Sequence, residues 1–326
     1  MIALFKIEHT IDYFSFGFLP QNNYYLCYEY YYGAVVNMNP TFERIGLFIR
    51  KDDPVMEKAV IQVIEFLLSQ ARTIVVNEPL GFLSELQVVS VNDFPQQVDL
   101  TIAIGGDGTL LSASRALSGT GMSLVGINIG RLGFLADLTL AELAPQLSEI
   151  LNGRYREDTR FLMQATIINQ TEQFMGKAMN DVVIHAHQSL HMIEFETYIN
   201  GRFLNSQRAD GIVIATPTGS TAYAMSAGGP ILDVDLDALV LATVCPHTLN
   251  NRPLVVAANS IIDIVISDHT DTSAMVTCDG RPGQKLHSGD IVRIERHPST
   301  IKLLHLEDHD HYSILRAKLE WGRKLT

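Results

Sequence analysis

In Gly105-Gly106-Asp107-Gly108-Thr109 a single carboxylate sits in a turn otherwise suited to phosphate. Residues 98–104 before it form a largely apolar, β-rich run, and residues 110–117 after it carry a helical pattern. A strand therefore ends in glycines that open a helix. Such a turn exposes backbone N–H groups at a helix N-terminus, and glycine lets a phosphate approach them. A carboxylate at that point repels phosphate unless it takes a proton from an attacking hydroxyl or holds Mg²⁺. The plain alternative is an aspartate capping the helix.

Three further groups carry candidate chemistry. Asp210-Gly211 opens a strand that runs into Thr216-Pro217-Thr218-Gly219-Ser220-Thr221-Ala222-Tyr223-Ala224-Met225-Ser226-Ala227-Gly228-Gly229-Pro230. Hydroxyls crowd this second turn, small residues admit a close ligand, and Tyr223 offers a flat face for a base. Asn180-Asp181 interrupts an apolar run at 178–184 with two poor strand formers. A strand end or bulge there aims an amide and a carboxylate outwards, and together these donate to and accept from a sugar diol. Arg208 precedes Asp210, a guanidinium suited to pyrophosphate beside a carboxylate suited to an amide or hydroxyl; the alternative is a surface ion contact. His185, His187 and His191 have a spacing that Zn²⁺ uses, but no cysteine lies near them. They read as ordinary histidines, with His191 kept as a ligand contact. Asp279-Gly280-Arg281 closes another strand as a turn or a further contact.

The elements that must position these residues follow a change of grammar along the chain. Residues 44–50, 73–76, 98–104 and 123–128 read as strands, with helices at 54–70, after Gly108 and at 140–151. This alternation predicts a mainly parallel sheet with covered faces, whose ligands bind beyond the carboxyl ends of the strands. The turn Gly126-Ile127-Asn128-Ile129-Gly130-Arg131-Leu132-Gly133 lies at such an end, and its glycine spacing is not the Rossmann fingerprint. Past Arg154, strand-like runs follow one another at 161–168, 178–184, 192–199, 211–215, 238–244, 254–256, 261–266, 274–278, 291–294 and 301–306. Asn200-Gly201 signals a hairpin among them. The expected organisation is an α/β domain over 38–139 carrying the glycine turn, a mainly β domain over 140–306, and a helical tail over 307–326. The first 37 residues are crowded with tyrosines and show no period. They are expected to be a poorly ordered extension ahead of Met38.

Composition bounds the partners. The chain has 326 residues, 47% of them hydrophobic, and a net charge of −12. That length supports two domains, and the charge argues against nucleic-acid binding, which needs a basic stripe. A phosphorylated ligand must then be held by local amides and a few arginines. The cysteines, Cys27, Cys245 and Cys278, are widely spaced, which fits a reducing cytoplasm. No apolar run is long enough to span a bilayer, so no membrane partner is expected. The apolar strands of the β-rich domain make a homo-oligomer the expected state.

Taken together, these motifs resemble the bacterial NAD kinase family, the ATP- or polyphosphate-dependent enzymes that make NADP. The resemblance rests on Gly105-Gly106-Asp107-Gly108-Thr109, the Gly126 to Phe134 turn, Asn180-Asp181, the Asp210 to Pro230 run, and Pro246-His247-Thr248-Leu249 with Arg252-Pro253-Leu254, in the family's order. It implies an α/β domain, a β-rich NAD-binding domain and a tail packing back on the first. It further implies that Asp107 is the general base for the 2′-hydroxyl of the adenosine ribose of NAD. Gly105, Gly106 and Thr109 would meet the phosphate donor, with Gly108 beside both substrates. Asn180 and Asp181 would hold ribose hydroxyls, and His191, Arg208, Asp210 and Arg281 would contact NAD. Thr221, Ala222, Tyr223, Ala224, Met225 and Ser226 would form a wall, with Tyr223 against a ring. Mg²⁺ or another divalent ion would accompany ATP or polyphosphate, with no ligands assigned. Two positions depart from the family: Asp181 stands where glutamate is usual, and Arg281 where glutamine is frequent. The glycine turn alone is also found in lipid and sugar kinases, and a non-catalytic NAD-binding sensor is a further alternative.

Overall fold

The computed structural model describes residues 42–50, 54–81, 85–130, 133–169, 173–187, 192–267 and 274–321. The expected N-terminal extension and His191 lie outside them. The first half alternates strand and helix: β1 (Arg44–Ile49), α1 (Pro54–Ser69), β2 (Thr73–Val76), β3 (Gln87–Val88), α2 (Phe94–Gln97), β4 (Leu100–Gly105), α3 (Asp107–Leu117), β5 (Ser123–Asn128), β6 (Leu138–Thr139) and α4 (Leu143–Leu151). The second half is mainly strand: β7 (Arg156–Ile168), β8 (Gln173–Ala178), β9 (Asp181–Ala186), β10 (Ile193–Ile199), β11 (Arg202–Ala209), β12 (Gly211–Ala215), α5 (Tyr223–Ser226), β13 (Ala238–Val244), β14 (Leu254–Ala257), β15 (Ile262–Ile266), β16 (Ala274–Cys278), β17 (Gln284–Leu286), β18 (Ile291–His305) and α6 (His311–Leu319).

β3, β2, β1, β4 and β5 pair in parallel, in that order. Their side chains alternate between two faces. Leu47, Ile102 and Ile104 pack towards α1 and α4, while Phe48, Ala103 and Leu124 pack towards α3. In the second half, β14, β13, β12, β9, β16 and β17 form an antiparallel sheet. Ile184, Ile212, Ile214 and Val276 from that sheet share a core with Met163, Phe195, Ile264 and Ile294. Two sheets packed face to face are the stable solution for strands with one apolar face each.

The parallel strands do not end as a separate sheet. β18 runs through both halves: it pairs with β15 at its start, with β5 near its end and with β7 along its length, so one 12-stranded sheet spans the described chain. Residues 291–294 and 301–306, expected as two strands, are thus one. The register shifts between Arg296 and Thr300, where Pro298 has no N–H to give to the ladder. Conversely, the run at 178–184 is two strands, β8 and β9, broken at Met179 and Asn180. The Asn200-Gly201 hairpin joins β10 to β11, a strand too polar to register as one by hydrophobic pattern. The tail forms α6, whose Lys318 Nζ stands 5.2 Å from the centroid of the Phe134 ring in the first half. No helix among the described residues is long and apolar enough to cross a membrane.

Candidate active site

β4 ends at Gly105 and α3 begins at Asp107, whose carboxylate does not cap its own helix. The helix-capping alternative therefore falls. Asp107 Oδ2 accepts the Phe134 N–H at 2.8 Å, and Oδ1 accepts those of Leu135 and Ala136 at 3.2 and 3.3 Å. A carboxylate offers about four lone-pair sites, so one stays open. Gly133 makes this possible, since a Cβ there would stand 1.9 Å from Asp107 Oδ1. Gly106 and Gly108 are exposed around the carboxylate, while Gly105 and Thr109 are buried.

The break at Met179 and Asn180 has its cause in Asp279. The Asp279 carboxylate accepts the N–H groups of Met179, Asn180 and Asp181 at 3.0, 2.8 and 3.1 Å. These bonds replace the strand ladder and turn the segment outwards. Asp279 itself adopts a left-handed φ of 48°, a conformation that aspartate tolerates better than most residues. Its charge is met by Arg115 of α3, with the two side chains 0% and 9% exposed. A single buried ion pair thus ties the helix behind Asp107 to the segment carrying Asn180 and Asp181. From the other side, Gly219 lies so close that a Cβ would stand 2.0 Å from the Asn180 carbonyl oxygen. Thr216 adds an N–H to that same oxygen at 2.9 Å and an Oγ1 hydroxyl to the Met179 carbonyl. Of the hydroxyls in the Asp210 to Pro230 run, that of Thr216 braces the 179–181 segment, while those of Ser220 and Thr221 bond to the Pro217 and Thr218 carbonyls within the run.

Two cavities adjoin across α3. The first, about 760 Å³, is lined by Asn180, Asp181, His185, Asp210, Ala222 and Tyr223, among others. Asn180 Oδ1 is buried with no hydrogen-bond partner among the described residues. Asp181 is 5% exposed; burial, and then the charge of Asp279, push its carboxyl up to about 7, with the Tyr223 backbone N–H pulling the other way. The first cavity thus presents an acceptor without a donor and an acid that ionises near neutrality. The second cavity, about 790 Å³, is lined by Arg50, Arg115, Lys177 and Arg281 together with Gly108 and Ser112. It shares Leu111, Asp279 and Gly280 with the first. Arg115 is paired with Asp279, and the three remaining cations, Arg50, Lys177 and Arg281, suit a phosphate-rich ligand.

The structure brings Asn180, Asp181, Asp210, Ala222 and Tyr223 together at the first cavity, and sets Arg281 with Gly108 at the second. Ala224 is instead buried against Val183, Val213 and Leu232. Thr221 is buried with its hydroxyl on the Thr218 carbonyl, and Met225 and Ser226 line neither cavity. Arg208 lines neither cavity and stands 3.8 Å from Glu194 in an exposed ion contact. Sequence reasoning passed over Arg115, Arg50 and Lys177, and read His185 as ordinary. Arg115 had a signal: Gly108, Leu111, Ser112 and Arg115 fall at helical spacing on one face of α3.

A carboxylate beside a helix N-terminus, a polar cavity and a cationic cavity across one helix make a site suited to phosphoryl transfer. Comparison with known proteins identifies the family. The ATP-NAD kinase N-terminal domain family matches residues 45–155, and the ATP-NAD kinase C-terminal domain family matches residues 179–306. The chain is similar to the NAD kinase of Nitrosococcus oceani, at 49% identity over 88% of this chain and 100% of that one. It is also similar to that of Hahella chejuensis, at 42% identity over 86% and 96%. Among solved structures, yeast NADH kinase complexed with NADH superposes with a TM-score of 0.78 at 23% identity, covering 88% of this chain and 89% of that one. An Archaeoglobus fulgidus NAD kinase in complex with ATP gives 0.67 at 21%, covering 85% and 98%. The last two show the shared fold. The chain belongs to the NAD kinase family, and it is an enzyme of the phosphotransferase class.

Proposed function

We propose that the enzyme transfers the terminal phosphoryl group of ATP, or of polyphosphate, to the 2′-hydroxyl of the adenosine ribose of NAD, forming NADP. The observation that carries this reading is the buried, unpartnered Asn180 Oδ1 beside Asp181 in the first cavity. A ribose diol supplies the missing donor to Asn180 and a second to Asp181. Tyr223, exposed at the same wall, offers a face for a ring, and Asp210 offers an acceptor for an amide. His191 and Arg208 remain proposed NAD contacts.

The second cavity receives the donor, its phosphates meeting Arg50, Arg281, Lys177 and the exposed amides near Gly106 and Gly108. In-line transfer forms one bond from the ribose oxygen to phosphorus and breaks the bond to the leaving phosphate, while the hydroxyl proton passes to Asp107. The open lone pair of Asp107 is the acceptor for that proton. Mg²⁺ binds through phosphates and one or two carboxylates; here it would enter on the donor's phosphates near Asp107 and offset their charge. The test is NADP formation by purified protein with ATP or polyphosphate, Mg²⁺, and NAD or NADH. Phosphorylation of diacylglycerol with none of NAD would overturn the reading, as would NAD binding with no NADP formed from either donor.

A further inference from the structure

The loop whose amides hold Asp107 runs directly into Asp137. Asp137 Oδ2 lies 3.0 Å from His305 Nδ1 and 2.8 Å from His309 Nδ1. The two imidazoles stack with centroids 4.0 Å apart. The three side chains are 13%, 3% and 6% exposed, and one ligand atom from each lies within 4.8 Å of the others.

With neutral imidazoles, hydrogen bonding leaves this cluster mismatched. A neutral His305 that donates Nδ1–H to Asp137 presents a bare lone pair at Nε2. That Nε2 is buried with no hydrogen-bond partner among the described residues. The group facing it is Asp158 Oδ2 at 3.7 Å, itself an acceptor and already paired with Arg160. A cation on Nδ1 removes the conflict. Nε2 then carries the proton and points it at Asp158, the carboxylate–histidine–metal arrangement typical of bound histidine. Two imidazoles and one carboxylate suit Zn²⁺ and its neighbours, not Mg²⁺, which takes oxygen ligands. Tetrahedral bonds of about 2.0–2.1 Å set ligand atoms about 3.3 Å apart, so the two carboxylate–imidazole distances, 3.0 and 2.8 Å, need to open only by a few tenths of an ångström.

We infer that Asp137, His305 and His309 form a site for a divalent transition metal, Zn²⁺ by its ligand chemistry, which fastens the Asp107 loop to the end of β18 and the segment entering α6. The metal site stands on this geometry alone; only its consequence for Asp107 depends on the function proposed above.

The experiment uses full-length protein, stripped with a chelator, re-equilibrated with Zn²⁺ in millimolar Mg²⁺, and passed through gel filtration before elemental analysis. Wild type should retain about one zinc per chain. His309→Phe keeps a ring against His305 but removes the ligand nitrogen, and should lose the zinc and the rise in Tm that zinc gives wild type. His287→Ala, at a histidine side chain 82% exposed, should bind as wild type does. Co²⁺ in place of zinc should give tetrahedral visible bands in wild type and none in His309→Phe. Should His309→Phe fail to fold, Asp137→Asn supplies the same comparison. Zinc below about a tenth of an equivalent in wild type, or equal zinc in wild type and a folded ligand variant, overturns the site. The first of those results leaves a protonated His305 held between Asp137 and Asp158 as the account of the cluster. NADP formation is measured separately, so loss of zinc with activity intact refutes only the link to Asp107.

Discussion

Asp181→Asn tests whether the first cavity works as described. The Asp181 carboxyl is pushed from an ordinary 3.8 up to about 7, first by burial and then by the charge of Asp279. Below about pH 4 both folded and unfolded chains hold this proton, and the group contributes nothing to stability. Between about pH 4 and about pH 7 the unfolded chain releases the proton while the folded chain keeps it, so stability falls as pH rises. Above about pH 7 the penalty is complete. About three units at 1.36 kcal/mol each amount to about 4 kcal/mol. Asparagine carries no charge at any pH, and its Oδ1 can still accept the Tyr223 N–H. About 1 kcal/mol of that penalty is already present at about pH 4.5, so the variant's stability relative to wild type should improve by about 3 kcal/mol between about pH 4.5 and about pH 8. Urea unfolding of both proteins at those two pH values measures it. An equal gap at both values would refute the burial argument. The same logic makes ligand binding proton-linked. Hydroxyls that donate to Asp181 favour its ionised form, so NAD should release protons on binding near neutral pH. Calorimetry in buffers of different ionisation enthalpy reads that release.

Gly133→Ala sets a methyl group where Asp107 Oδ1 lies, 1.9 Å away, and should cut turnover sharply while leaving NAD affinity near wild type in equilibrium binding. Asp107→Asn should lower turnover by about 10²–10⁴-fold, as loss of a general base does. It also turns an NH₂ towards one of three backbone donors, so its Tm should fall as well; unchanged turnover would remove Asp107 from the chemistry. Arg115→Met leaves Asp279 buried without its cation and should cost about 3–5 kcal/mol in denaturant unfolding. Arg281→Ala should raise KM for the phosphate donor and leave KM for NAD unchanged; the reverse pattern would return Arg281 to the NAD site.

The parallel half of the fold was legible because apolar alternation and glycine turns mark each strand end: β1, β2, β4 and β5 fall at or within two residues of their expected bounds. What hid the rest was polarity with a structural purpose. β7 begins at Arg156, in a stretch where the charges of Asp158 and Arg160 are absorbed in a buried ion pair. At the candidate site, Asn180-Asp181 was legible as a strand end because two poor strand formers stand together. Its cause was not, because Asp279 lies about a hundred residues away along the chain and acts on backbone groups. Arg115 was obscured in the same way: only the fold shows that its partner comes from the other half.

The location of that partner bears on catalysis. Phosphoryl transfer asks little covalent chemistry of a protein and much positioning. In the reading proposed above, the acceptor side, through Asn180 and Asp181, and the donor side, through the cationic face of α3, meet at Leu111, Asp279 and Gly280, which line both cavities. Asp279 fixes the backbone of the first, and Arg115, bound to it, lines the second. Because β18 threads both halves into one sheet, the ion pair joins surfaces already held in register. On the proposed function, the contribution expected of it is to set the distance between hydroxyl and phosphate more than to hold the halves together. Arg115→Lys should separate the two roles: it preserves the charge and much of the stability, but lacks the planar fork that fixes orientation. The expected result is near-normal Tm with lowered kcat and little change in either KM; a fall in Tm with unchanged kcat would make the pair merely structural.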